Sequence, residues 1–101
     1  MAHEIVFAPE AQADLTDLYD YIAGHGGADR ALGFVGRIEA ACLSLAEFPE
    51  RGTRYDDIRP GLRVIGLERR VTIAFHVGSR RVTIDRILYG GRDLGTALED
   101  A

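Results

Sequence analysis

The sequence predicts an α+β fold, and three observations carry that expectation. Apolar residues recur at helical spacing over residues 11–22 and again over 31–45, a glycine cluster separates the two stretches, and from Leu62 onward the pattern changes to period two. The expected order is an N-terminal strand, an antiparallel helical hairpin and then a three-stranded antiparallel meander. A chain of 101 residues, 47% of them hydrophobic, can bury one core and is too short to divide into two, so residues 1–101 are read as a single domain.

The apolar run Glu4-Ile5-Val6-Phe7-Ala8 ends at Pro9, which reads as a strand leading into a helix whose first turn accepts proline. Ala11, Leu15, Leu18 and Ile22 then form one helical face, while Asp14, Asp17 and Tyr21 share another. The stretch "GHGG" at 24–27 stops this helix, because glycine tolerates the backbone angles of a tight reversal. It follows a helix and lacks the lysine of a phosphate-cradling loop, so it is punctuation.

A second helix is expected from about Ala28 to Glu47. Ala31, Val35, Ile38, Cys42 and Leu45 mark its core stripe, which Phe34, Ala41 and Phe48 widen. The short linker makes the two helices antiparallel neighbours, packed on a sheet. Leu32 and Leu43 fall on the far side, about three turns apart along one line. "FPERGTRYDDIRPG", residues 48–61, reads as a loop. Strands follow at Leu62 to Leu67, Val71 to Val77 and Val82 to Tyr89, with turns near Gly66 to Arg69 and at "GSRR". In the last strand Val82 and Ile84 share one phase and Ile87 and Tyr89 the other, which predicts either a strand covered on both faces or a bulge.

Charge is distributed unevenly along the chain. Residues 1–50 hold two arginines against nine acids, net −7, whereas residues 51–101 hold ten arginines against seven acids, net +3. No lysine is present, so every permanent cation is a guanidinium, suited to planar contact with carboxylate or phosphate. An anionic partner for the C-terminal half is one reading; ion pairing within the molecule is the other. The lone Cys42 falls on an apolar helix face and the three histidines are scattered, so neither a disulfide nor a metal site is expected, and no cofactor. No run approaches the length of a membrane span and the first residues do not resemble a secretory signal, so a cytoplasmic protein is expected.

RNA cleavage without a metal requires a base, cations for the phosphate and an acid for the leaving oxygen. Arg63, Arg86 and Arg92 offer cations and Tyr89 a proton donor, but no base stands out. His76 sits mid-strand as a structural imidazole, and adjacent Asp56 and Asp57 read as loop solvation.

"FAPEAQADLTDLYDYIA", "LAEFPERGTRYDDIRPGLRVI", "VTIAFHV" and "VTIDRILYGGRDL" together resemble the RelE/ParE superfamily of toxins from bacterial toxin–antitoxin modules, over residues 5–94. The strand, hairpin and meander order is also that of the superfamily. The resemblance implies one of two activities. RelE-like members cut messenger RNA on the ribosome; here Arg63 in "GLR" matches their strand-start arginine, Arg92 a second one, and Tyr89 would complete a nuclease set. ParE-like members poison DNA gyrase, and the lysine-free chain, with "ILYGGRDL" at 87–94, is similar to that branch. A ParE-like toxin neutralised by a ParD-like antitoxin is therefore the expectation, with a ribosome-dependent endoribonuclease as the alternative. Antitoxin contacts are expected at Tyr21, Leu32, Leu43, Arg59, Arg63 and Arg81, and target contacts at Arg86, Tyr89 and Arg92.

Overall fold

A computed structural model describes residues 2–90 and 94–99. Strand β1 (Glu4–Phe7) leads into helix α1 (Pro9–Gly26), and helix α2 (Ala28–Leu43) runs back against it. A short strand β2 (Thr53–Arg54) precedes β3 (Leu62–Leu67), β4 (Val71–Val77) and β5 (Arg81–Tyr89), and a short helix α3 (Leu94–Glu99) follows. The sheet has five strands in the order β1-β5-β4-β3-β2, with β1 parallel to β5 and the other neighbours antiparallel.

Local chemistry sets the boundaries. Ala8 is extended and Pro9 occupies the first turn of α1, where its missing N–H costs nothing. Gly27 alone separates the helices, at φ 94°, a conformation that penalises any side chain. Helix α2 stops at Leu43, short of the expected Glu47, and tightens into a 3₁₀ turn at Ser44–Ala46. There the Ser44 hydroxyl donates to the Ala41 carbonyl at 2.6 Å, competing with the helical ladder. The 48–61 loop contains β2, which the sequence does not reveal; Gly52 precedes it at φ 84°, where a Cβ would run into the Val64 carbonyl.

One face of the sheet buries Val71, Ile73, Phe75, Val82, Ile84 and Ile87 beneath Ala11, Leu18, Phe34, Ile38, Cys42 and Leu45 of the hairpin side. The opposite face buries Leu62 and Ala74 under Leu98 of α3, with Tyr55, Val64 and Leu94 around them. Both alternatives for the last strand are realised. The β4–β5 register shifts between Ala74 and Phe75, so Asp85 is an extra residue on β5. That insertion returns Ile87 and Tyr89 to the face already occupied by Val82 and Ile84.

Candidate functional site

Strand β1 ends at Phe7, opposite Ile84, so the last third of β5 is a sheet edge. The Asp14 carboxylate of α1 closes it by accepting the Ile87 N–H at 2.8 Å. The same carboxylate receives the Arg86 guanidinium from Nε at 2.8 Å and Nη2 at 2.9 Å, and Arg86 Nη1 donates to the Ala97 carbonyl at 2.7 Å. Arg86 thus pins α1, β5 and α3 together, with only 10% of its side chain exposed. Expected as a target contact, it is placed inside the fold instead. Its acidic partner, one of several acids along α1, carries no sequence signal.

Tyr89 lies past the bulge, where the hairpin tip meets the β3–β4 turn. Tyr21, Phe34 and Tyr89 meet there with ring centroids 6.1 Å apart for both Tyr21–Tyr89 and Phe34–Tyr89, the second pair edge-to-face. A cavity of about 420 Å³ opens over these rings, and Arg30, Arg37 and Arg70 line it with His25. Arg37 is stacked over Phe34 at 5.3 Å and held by Glu68, which accepts from Nε at 2.6 Å and Nη2 at 3.2 Å. That hydrogen bond holds the Glu68 carboxyl below its usual range and raises the Arg37 guanidinium further. Glu68 and Arg69 both adopt positive φ, 54° and 58°, in the three-residue turn over 68–70 that delivers Arg70 to the cavity.

Arg63 lies at the other end of the sheet. Its partner Phe75 pairs with Ile84, whereas Tyr89 pairs with Val71 and, through it, Leu67. Four steps of about 3.3 Å along β3 and two strand spacings of about 4.8 Å separate the positions. Arg63 faces a different cavity, of about 910 Å³, with Arg51, Arg54, His3, Glu47 and Glu50.

The remaining expected contacts are dispersed. Leu32 and Leu43 are 61% and 58% exposed on the outer side of α2, and Tyr21 is 54% exposed at the tip of α1. Arg59 reaches the Leu98 carbonyl of α3 at 3.4 Å, and Arg81 pairs with Glu4 at 3.3 Å. Arg92 lies outside the described residues. His76, expected as a structural imidazole, is half exposed and bonds Asp85 at 2.8 Å, a partner the sequence does not point to. Asp56 accepts the Gly61 N–H at 2.9 Å and pairs with Arg54, so it fastens the loop as well as solvating it. Burial pushes the Cys42 thiol up to about 12, leaving it an inert core group. Among the described residues, no three His, Cys, Asp or Glu side chains converge as a metal ion requires, and no helix is long and apolar enough to cross a membrane.

Residues that sequence reasoning passed over include Arg30, Phe34 and Arg37 as one group. Their spacing of four and three places them on one helical face, a readable signal; the arrival of Arg70 across the sheet is not.

A family model described as the ParE toxin of type II toxin-antitoxin system, parDE, matches residues 5–94. Toxin ParE1 of Mycobacterium tuberculosis, in strains CDC 1551 / Oshkosh and ATCC 25618 / H37Rv, is 26% identical over 94 residues, covering 93% of this chain and 96% of that protein. A solved chain from the chromosomal ParDE TA system of P. aeruginosa is 27% identical with a TM-score of 0.77, covering 88% of this chain and 97% of that one.

Proposed function

The chain belongs to the ParE toxin family of type II toxin–antitoxin systems, and from that premise we propose that it poisons DNA gyrase by binding and is held inactive by a ParD-like antitoxin. The observation that supports a gripping toxin over a cutting one is the separation of Arg63 from Tyr89. A nuclease built on Arg63, Tyr89 and Arg92 needs its cation and proton donor around one phosphate. Arg63 and Tyr89 line different cavities at opposite ends of the sheet.

The dispersal of Leu32, Leu43, Arg59, Arg63 and Arg81 supports an extended antitoxin segment. Leu32 and Leu43 stand about 16 Å apart along α2 at 1.5 Å per residue, Arg63 faces the opposite end of the sheet from Tyr89, and Arg59 lies against α3. An acidic chain that orders as it wraps meets all of them, with apolar anchors on the leucines and carboxylates on the guanidiniums. No single rigid patch does.

One observation favours the endoribonuclease as a second reading. The Arg63 cavity holds two further arginines together with His3, Glu47 and Glu50, groups that supply cations and a base without Tyr89. The two readings part in one experiment. Purified chain incubated with gyrase, ATP and supercoiled plasmid is expected to block supercoiling or to accumulate linear DNA. Absence of both at excess toxin, with Arg63-dependent cuts in ribosome-bound transcripts, removes the gyrase reading and installs the other.

A further inference from the structure

From the cavity at the hairpin tip we infer a second binding function: it holds a nucleotide of single-stranded nucleic acid, stacked on Tyr21 with its phosphate among Arg30, Arg37 and Arg70. Two properties of the lining carry this. First, its charged groups are guanidiniums, joined by the His25 imidazole, and no carboxylate lines it. Glu68 occupies one side of Arg37 and feels the charge of Arg70, while the side chains of Arg30 and Arg70 make no hydrogen bond and no ion pair among the described residues. Three guanidiniums against the single carboxylate of Glu68 leave a cationic surplus that an oxyanion matches, and a backbone phosphodiester presents two non-bridging acceptor oxygens to such a fork.

Second, the rings form an open-ended stack. The His25 ring lies 4.4 Å from Tyr21 with 33° between planes, and its Nδ1–H is tied to the Tyr21 carbonyl at 2.7 Å. A carbonyl only accepts, so this bond fixes the imidazole tautomer and the ring plane. Tyr21 is held from one side by His25 and from another by Tyr89, yet remains 54% exposed. An immobilised, outward aromatic ring beside unpaired arginines is the pairing used for single strands, since every base has a face to stack. An acidic peptide satisfies the guanidiniums but does not require the ring.

The site also has a direction. On the far side of the Tyr21–Tyr89 ridge is a cavity of about 260 Å³ that Asp14 and Asp17 line. Asp14 is already matched by Arg86, but the Asp17 carboxylate repels a phosphate backbone there, so the strand runs on the arginine side and only its bases reach the ridge. Gly26 belongs to the same design: a Cβ at that position would strike Arg30 Cδ at 2.8 Å, where the Arg30 stem lies.

The test needs no gyrase, so its failure leaves the gyrase reading standing and the reverse holds too. The full-length chain is titrated into a fluorescein-labelled oligothymidylate of about a dozen nucleotides, within the site sizes of single-strand binders, and anisotropy is followed at rising salt. Duplex of equal length and polyglutamate are run in parallel. Saturable binding that weakens with salt is expected, reduced roughly 5- to 150-fold in Tyr21→Ala, the range for loss of one stacked base. Arg30→Ala and Arg70→Ala are each expected to weaken it and flatten its salt dependence, with Arg80→Ala, exposed in the β4–β5 turn, unchanged and all variants folded by circular dichroism. The inference is overturned by no binding, by equal or tighter binding of duplex or polyglutamate, or by binding indifferent to Tyr21 and Arg70.

Discussion

The carboxylate of Asp14 and the guanidinium of Arg86, 72 residues apart in sequence, form a bidentate pair that seals the free edge of β5. Both side chains are nearly buried, at 7% and 10% exposure, so neither is replaceable by water. Asp14→Ala takes the bidentate acceptor away from a nearly buried guanidinium and leaves the Ile87 N–H without its carboxylate, and is expected to cost about 3–5 kcal/mol, read from urea unfolding. Asp14→Leu combined with Arg86→Met removes both charges and should be less destabilised than Asp14→Ala. A loss under 1 kcal/mol in Asp14→Ala, on the order of an exposed pair, would show the clasp to be ornamental.

Ile38 is fully buried between α2 and the sheet. Ile38→Ala is expected to lose about 2–5 kcal/mol as a cavity opens, and Ile38→Asp more, because an unpaired charge is added to that loss. Thermal melts of the two variants give the order; an Ile38→Asp protein melting with the wild type would place this residue outside the core.

The turn at Glu68 and Arg69 holds two side chains in the left-handed region. Arg69 does not line the cavity at the hairpin tip, so relief of its strain can be separated from binding. Arg69→Gly is expected to gain about 0.5–1 kcal/mol, the left-handed penalty less the extra freedom of glycine in the unfolded chain. A melting point raised by a few degrees is the readout, and a lowered one would mean that the Arg69 side chain makes a contact worth more than the strain.

Among the described residues two carboxyls are held below their ordinary range: Glu68 by its hydrogen bonds from Arg37, and Asp56 by the Gly61 N–H and then by Arg54. A carboxyl whose folded value is depressed contributes stability above its unfolded value, near 4, and loses it as pH falls through the folded one. Melting temperature is therefore expected to drop on acidification below about pH 4, and Glu68→Gln to drop less. Identical acid profiles would show that the Arg37–Glu68 pair adds nothing, as exposed pairs often do.

What was legible in the sequence is what repeats. Ala31, Ile38, Cys42 and Leu45 announce the buried face of α2 because burial recurs with the helical period, and β3, β4 and β5 fall where alternation places them. The phase change between Ile84 and Ile87 marks the bulge at Asp85, since an inserted residue is what restores both to one face. Features that depend on one contact leave no such trace. Helix α3 is six residues long and contains Gly95, too short for a period, and two arginine contacts to its carbonyls help to hold it. The clasp joins a helix acid to a strand arginine across most of the chain, and for the same reason Arg86 reads as a free surface cation until the fold closes over it.

Binding and cutting differ most plainly in stoichiometry. With gyrase fixed and toxin varied, loss of supercoiling is expected to saturate at a constant molar ratio and to reverse when a ParD-like antitoxin is added in excess. Inhibition that continues to grow with time at toxin far below the gyrase concentration, or cleaved RNA released over many turnovers from translating ribosomes, would contradict a toxin that acts by holding its target.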